Sequence, residues 1–409
     1  MAENVHDAAR LLELQSLPLE RKIQISQARI IEWYQYWNGD VVVSFSGGKD
    51  STVLLHLVRS IYPDVKAVFA NTGLEYPEIQ KHVKTFDNVD IVTPAMRFDE
   101  VVSTFGYPVI GKEVAEAIYY ARRIKTPKTR PARKDVKKPM INRKRDELWG
   151  SRFIQTSSAR NRRTVLQGKW ESTTEEGGGI KKKSQFNKEK WLPLARDVPL
   201  LISHWCCYQM KKSPIHKYQT ANKCLPITGT LAEESRVRKQ AWIRHGCNAF
   251  DVTSPISQPL SFWTEQDILT YIVKYDLPIA SVYGEIVSVR DGDEYPARDM
   301  FGNVGCNLQC TGCNRTGCVF CGFGLHTEKR GETRFQRLAK THPKQYEYSI
   351  GGGQWVDNPH YDPVAPEYDG EWKNWNPKKI WVPSKKGLGM GKAFDMINEI
   401  YGKDFLRYE

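Results

Sequence analysis

A six-residue turn sets the limits on this fold. In VVVSFSGGKDSTVLLHL, residues 41–57, the apolar run from Val41 to Ser46 reads as a buried strand. Val53, Leu54, Leu57, Val58 and Ile61 then recur at helical spacing, so a helix is predicted from Ser51 to about Tyr62. Between strand and helix stands Ser-Gly-Gly-Lys-Asp-Ser. Backbone N–H groups in a glycine turn of this kind converge on an anion, and the following helix N-terminus adds a favourable dipole. Ser44, Ser46, Gly47, Gly48, Lys49, Asp50 and Ser51 are therefore candidates for holding phosphate, with Lys49 as the point charge and the hydroxyls as donors. It is not a Walker A loop, which needs glycine five residues before the Gly-Lys pair, where Val43 stands. The plainer alternative is an ordinary strand-to-helix turn.

The surrounding pattern extends the strand–helix alternation. Residues 8–37 read as one helix, Val65–Ala70 and Val89–Val92 as strands, and Glu78–Phe86 as the helix between them. The pattern resumes with a strand at 225–230 and helices at 233–245 and 261–278, the last with Thr264 as a plausible cap. Such alternation predicts an α/β fold, a parallel sheet sandwiched by helices. The expected organisation is a helical segment (1–40), a nucleotide-binding domain in two parts (41–121 and 196–290), a basic insertion (122–195), a cysteine-rich region (291–340) and an extension rich in Trp, Pro and Gly (341–409).

Charge is concentrated in that insertion. From Arg122 to Lys190 the chain carries 22 Lys and Arg against 7 Asp and Glu, a larger excess than the +13 of the whole chain. Arg122, Arg123, Lys125, Arg133, Lys134, Lys137 and Lys138, with aromatics interleaved downstream, are candidates for tracking a nucleic-acid backbone. A solvated insertion is the plainer reading. No apolar run is long enough to span a membrane, and the first residues lack the order of a signal peptide, so a soluble, cytoplasmic protein is expected. In that setting nine cysteines point to thiols or metal ligands rather than to a disulfide framework.

The Ser44–Ser51 loop resembles that of the PP-loop, or adenine nucleotide α-hydrolase-like, superfamily, and within it the phosphoadenosine phosphosulfate (PAPS) reductase family. Asn71–Glu78 (NTGLEYPE) is similar to the family's segment after the second strand, with Thr72 and Gly73 in the nucleotide-binding places. Thr228–Arg238 (TGTLAEESRVR) is similar to another, which brings Gly229, Glu234 and Arg238 into the expected site. PLSFWTEQDILTYI also looks like the family. The resemblance implies an adenine nucleotide bound at the loop, with Lys49, Asp50 and Ser51 as the catalytic candidates.

The cysteines extend the likeness. Cys206 and Cys207 are adjacent, and Cys318 and Cys321 form a CxxC, a pattern similar to that of the iron–sulfur sulfonucleotide reductases. It implies a [4Fe–4S] cluster on these four thiolates, with a zinc site as the alternative. Cys306, Cys310 and Cys313 give a CxxxCxxC that reads as loop thiols or, with Cys247 or His326, as a zinc knuckle. Cys224 reads as core.

Two departures from the reductases point in one direction. The nucleophilic cysteine those enzymes carry near the C-terminus has no counterpart, since no cysteine follows Cys321. The loop keeps the lysine that those enzymes commonly lack. Both features resemble the ATP-using branch, which implies cleavage of ATP to AMP and pyrophosphate with Mg²⁺, a sulfur donor or reductant protein as partner, and an acceptor activated for sulfur transfer. The alternatives are a PAPS or adenylyl-sulfate reductase with a different thiol, such as Cys313, and a nucleotide-gated nucleic-acid-binding module without turnover.

Overall fold

The computed structural model describes residues 6–122, 157–173, 181–290, 306–328 and 331–409. Two compact units emerge, one joining residues 1–95 to 209–318 and the other joining 96–208 to 319–409. This partition cuts across the expected boundaries. The stretch 96–121, grouped by its helical pattern with the nucleotide-binding domain, belongs instead with the C-terminal tail. A unit built from distant stretches leaves no trace in periodicity, which reports only on neighbours along the chain.

The first unit opens with α1 (Ala8–Ser16) and α2 (Leu19–Tyr36). The single helix expected over 8–37 is broken at Pro18, which lacks an N–H and takes extended backbone at φ −57° and ψ 150°. There follow β1 (Val41–Ser44), α3 (Lys49–Arg59), β2 (Ala67–Ala70), α4 (Pro77–Val83) and β3 (Val89–Val92). After the excursion through the second unit come α5 (Ser213–Asn222), β4 (Leu225–Thr228), α6 (Arg236–His245), β5 (Asn248–Ala249), β6 (Ile256–Ser257) and α7 (Glu265–Lys274). The strands form one sheet in the order β3-β2-β1-β4-β6-β5, parallel except for the β5–β6 pair. This is the α/β fold the alternation predicts.

The order reverses at β1. The chain builds β2 and β3 on one side of it and then crosses to lay β4 on the other, with Ser44 beside Thr228. Such a switch point leaves a crevice at the carboxyl ends of the strands, where open α/β sheets bind ligands. Val42, Val43, Ala67 and Val68 are buried, which explains why β1 and β2 read as unbroken apolar runs. Helix α3 packs on β1, and α7 and α2 pack on α3. Thr264 caps α7, and Asp267 closes the capping box while accepting from the buried Lys22 ammonium at 2.6 Å. That bond ties α2 to α7. A hairpin, β7 (Ile286–Arg290) paired with β8 (Cys306–Cys310), completes the unit.

In the second unit part of the tail is core. Gln354–Asp357 pairs antiparallel with Lys379–Val382, and Trp375, Ile380 and Val382 pack with Leu201. Arg122 faces inward. Its guanidinium donates to the carbonyls of Leu194, Ala195, Val198 and Leu200 and lies 4.4 Å from the Trp375 ring centre. Burial lowers its pKa to about 9. Arg122 therefore drops out of the expected nucleic-acid surface: its guanidinium spends four of its five N–H donors on buried carbonyls and lies against the Trp375 ring. Arg123, Lys125, Arg133, Lys134, Lys137 and Lys138 lie outside the described residues.

Two histidines of the first unit couple its stability to pH. His56 Nδ1 lies 2.9 Å from Tyr271 Oη, and His82 Nε2 lies 3.4 Å from Thr52 Oγ1. Burial pushes both imidazoles below the ordinary 6.5. A group depressed in the folded state binds its proton more readily in the unfolded chain. Its stabilisation is complete above the unfolded pKa and is lost as pH falls through the folded value. Thermal unfolding followed from about pH 7.5 down to about pH 5 is expected to show a falling midpoint. A His56→Asn/His82→Gln variant is expected to have a shallower slope; an unchanged slope would contradict this assignment.

Candidate nucleotide site

The loop after β1 is shaped by one residue. Gly47 has φ +70°, and a Cβ there would stand 2.6 Å from Val83 Cγ2 and 2.9 Å from Ile79 Cγ2, both on α4. Only glycine meets both demands. Gly48 caps α3 with extended backbone, so the first amides of the helix open toward the strand ends. Ser46 and Ser51 face each other with hydroxyls 3.0 Å apart, and Ser51 Oγ donates to the Gly48 carbonyl at 2.9 Å. The Gly229 turn after β4 closes on the same helix, a Cβ there falling 3.0 Å from the Asp50 carbonyl. Ser46, Gly47, Gly48, Lys49, Asp50, Ser51 and Gly229 thus meet around one turn.

Lys49 departs from expectation. Its side chain is 4% exposed, and its ammonium donates to the Asn314 carbonyl at 2.7 Å and pairs with Glu265 at 2.8 Å. Its backbone N–H donates to Tyr283 Oη at 3.3 Å. Burial works against its charge, but Asp50 and Glu265 outweigh it and hold the ammonium above its usual pKa. Asp50 is pushed up by burial and by Glu265, with Lys49, Arg315 and Arg238 opposing. Glu234 accepts from Leu231 N–H and pairs with Arg238, and Arg315 approaches it to 3.6 Å. Burial, reinforced by Arg315, lowers the Arg238 pKa. The site therefore interleaves Lys49, Arg238 and Arg315 with Asp50, Glu234 and Glu265.

Thr72 and Gly73 stand at the end of β2. Thr72 donates through both N–H and Oγ1 to Glu75, and Glu75 lies 3.7 Å from the Lys211 ammonium. Gly73 has φ +72° and open space where a Cβ would point. A cavity of about 570 Å³ runs along β4 and reaches the carboxyl ends of β1 and β4 at Ser44 and Thr228. Leu225, Pro226 and Ile256 line its apolar part, and Lys211, Lys212 and Lys223 bring positive charge. Its size and mixed lining suit a ligand with an apolar ring and an anionic group. Cys224, read as core, is half-buried and lines this cavity.

Sequence reasoning missed Glu265, Tyr283, Asn314, Arg315 and Thr316. Glu265 looks like an ordinary acidic first-turn residue behind the Thr264 cap, where the helix dipole alone would account for it. The other four lie in stretches without periodicity, where nothing local marks a partner of Lys49.

Cys206 and Cys207 hold their sulfurs 4.0 Å apart, Cys206 buried and Cys207 half-buried. Cys318 and Cys321 are half-buried. Among the described residues no three His, Cys, Asp or Glu stand together closely enough to hold a metal ion. By donor chemistry thiols are the kind of ligand an iron–sulfur cluster takes, and Cys206 and Cys207 bring two of them into contact. For Mg²⁺, the carboxylates of Asp50 and Glu265 at the loop are the oxygen donors of the right hardness. Cys247, weighed for a zinc knuckle, accepts instead from Ser261 Oγ at 3.6 Å.

The family profile of the phosphoadenosine phosphosulfate reductase domain matches residues 40–168 and 175–322, well over half of the chain. The chain belongs to this family. Similar proteins include an adenosine 5'-phosphosulfate reductase of Bacillus cereus, 31% identical over 19% of this chain and 36% of that protein. One of the same name from Staphylococcus epidermidis is 39% identical over 15% of this chain and 24% of its own length. An uncharacterized protein of Methanocaldococcus jannaschii is 29% identical over 26% of this chain and 27% of its own. The matches thus span about a third or less of those relatives. A crystal structure of phosphoadenylyl-sulfate reductase from Candida auris, a phosphate complex, aligns over 67% of this chain and 90% of that one at 10% identity and a TM-score of 0.31. No helix among the described residues is long and apolar enough to cross a membrane.

Proposed function

We propose that the chain binds an adenine nucleotide across the switch point and cleaves ATP to AMP and pyrophosphate, activating an acceptor for sulfur transfer. The observation that carries this reading is the complete Ser-Gly-Gly-Lys-Asp-Ser turn, lysine included, at the N-terminus of α3 beside a cavity of nucleotide size. The base and ribose would take the apolar part of the cavity along β4. The phosphates would reach the amides of Gly48 and Lys49 and the hydroxyls of Ser46 and Ser51. The negative charge of a departing pyrophosphate grows as the α–β bond breaks, so fixed N–H dipoles and the Lys49 ammonium stabilise the transition state more than the ground state. Bound Mg²⁺ would supply further charge neutralisation on the phosphate oxygens, with Asp50 and Glu265 as its protein donors. Arg238 and Arg315, freed from Glu234, would meet the substrate's remaining charge.

A [4Fe–4S] cluster on Cys206, Cys207, Cys318 and Cys321 belongs to the same proposal, as does a sulfur-donor or reductant protein; the cluster would hold or deliver sulfur. The lysines of the basic stretch beyond Arg122 nominate a nucleic acid as one class of acceptor. The second reading is a sulfonucleotide reductase, favoured by the names of the reductases similar to this chain and by the lysine-bearing cavity, which also suits an adenylyl sulfate.

Products formed from ATP and, separately, from adenylyl sulfate and PAPS decide between them, using anaerobically purified protein with Mg²⁺, nucleic acid and a dithiol. AMP and pyrophosphate from ATP are expected, with Lys49→Ala slower by about 10²–10³-fold, the usual cost of removing one transition-state donor. Sulfite from either sulfonucleotide, with ATP untouched, would overturn the pyrophosphatase reading. For the cluster, Cys207→Ser is expected to lose iron and acid-labile sulfide together; undiminished iron in that variant would remove these cysteines as ligands.

A further inference from the structure

The donors that should meet a phosphate are already engaged by the protein. Lys49 Nζ is held by the Asn314 carbonyl at 2.7 Å, and the Lys49 N–H points to Tyr283 Oη at 3.3 Å. Tyr283 Oη in turn lies 2.6 Å from Thr316 Oγ1. Above the loop, a Cβ on Gly48 would meet Tyr283 Oη at 3.1 Å and Thr316 Oγ1 at 3.6 Å. Two oxygen atoms, one phenolic and one carbonyl, therefore sit on the amide and the ammonium that suit phosphate oxygens.

The segment that delivers them is anchored on its N-terminal side, and its tip is held by polar contacts, with Arg315 reaching Glu234 at 3.6 Å. Thr311, Gly312 and Cys313 donate in succession to the carbonyls of Glu285, Tyr283 and Val282, each at 2.9 Å. The Gln266 side chain brackets Leu308, donating to its carbonyl at 3.0 Å and accepting from its N–H at 2.8 Å. Gly312 presses so closely on the chain below that a Cβ would fall 2.4 Å from the Val282 carbonyl. Beyond Cys313 the character changes. Asn314 and Arg315 are exposed, Asn314, Arg315 and Thr316 are all polar, and Gly317 has open space around it. The tip carries no apolar side chain to bury.

We propose that residues 314–316 form an internal strap that closes the phosphate loop, so that nucleotide binds by displacing the Asn314 carbonyl and the Tyr283–Thr316 pair. This rests on the reading of the loop as a nucleotide site. Gly317 serves as the hinge, and Glu265 neutralises Lys49 until phosphate takes its place. A ligand that competes with an internal contact binds with its intrinsic affinity reduced by the open fraction. Weakening the strap without touching the loop then tightens nucleotide binding, the opposite of what a ligand-binding residue does when it is removed.

Thr316→Val is the test, with Tyr283→Phe as a second variant that removes the same hydroxyl pair from its other side. Two quantities are read on the full chain: the dissociation constants of ATP and of inorganic pyrophosphate, and the rate at which an amine-acylating reagent labels Lys49, followed by mass spectrometry. Wild type is expected to label slowly at Lys49. Both variants are expected to label at least about 3-fold faster and to bind both ligands about 3- to 10-fold tighter. Lys49 labelled in wild type as fast as surface lysines, or variants that bind more weakly with unchanged labelling, would overturn the strap while leaving the nucleotide site intact. Faster labelling in the variants with no binding of either ligand to any form would uphold the strap as a cover of Lys49 and overturn the nucleotide reading instead.

Discussion

Everything at the candidate site depends on the left-handed turn at Gly47. Strand β1 lies in the middle of the parallel sheet, so the chain emerges from it with neighbours on both sides and α4 above. The backbone can start α3 from there only by turning through φ +70° in a space that excludes a methyl group. That one conformation aims the first amides of α3 at the strand ends, sets Lys49 under the segment that follows the cysteine hairpin, and lets the Gly229 turn close on Asp50. A side chain at Gly47 would have to move α4 or the loop, and either shift would misdirect every donor in the turn.

The charges gathered there are balanced rather than free. Lys49, Arg238 and Arg315 alternate with Asp50, Glu234 and Glu265, and Lys49 is almost wholly shielded from solvent. A buried charge with its partner removed is costly, whereas the pair itself contributes little net stability. The arrangement is therefore better suited to exchanging partners than to holding the fold together. On the proposed reading an incoming polyphosphate would replace one set of anionic partners with another, leaving the cations compensated throughout.

The fold was legible to the extent that local chemistry determines it. Val41–Val43 and Ala67–Val68 are apolar because both sides of those strands are covered, and the Val53, Leu54, Leu57, Val58 spacing gave the helix its buried side. Thr264 announced a cap that is present. What was not legible depends on contacts made at long range. The carbonyl that holds the Lys49 ammonium, that of Asn314, lies 265 positions along the chain in a stretch with no periodicity. Arg122 looked like one more residue of a solvated charge run until four carbonyls and the Trp375 ring closed around it. The Trp-rich tail was unreadable for the related reason that its strands are short and its buried Trp372 and Trp375 pack on segments more than a hundred residues away. Pro18 is the exception, a local signal that a continuous apolar spacing obscured.

The central claim is that the nucleotide lies across the switch point, its phosphates on the turn and its base in the cavity beside β4. Photolabelling with 8-azido-ATP, mapped by mass spectrometry, tests that placement directly because the reactive group is on the base. Covalent attachment is expected within residues 211–228 or at the end of β1, and to be abolished by excess unmodified ATP. Attachment confined to other parts of the chain, still competed by ATP, would place the nucleotide elsewhere and contradict the account.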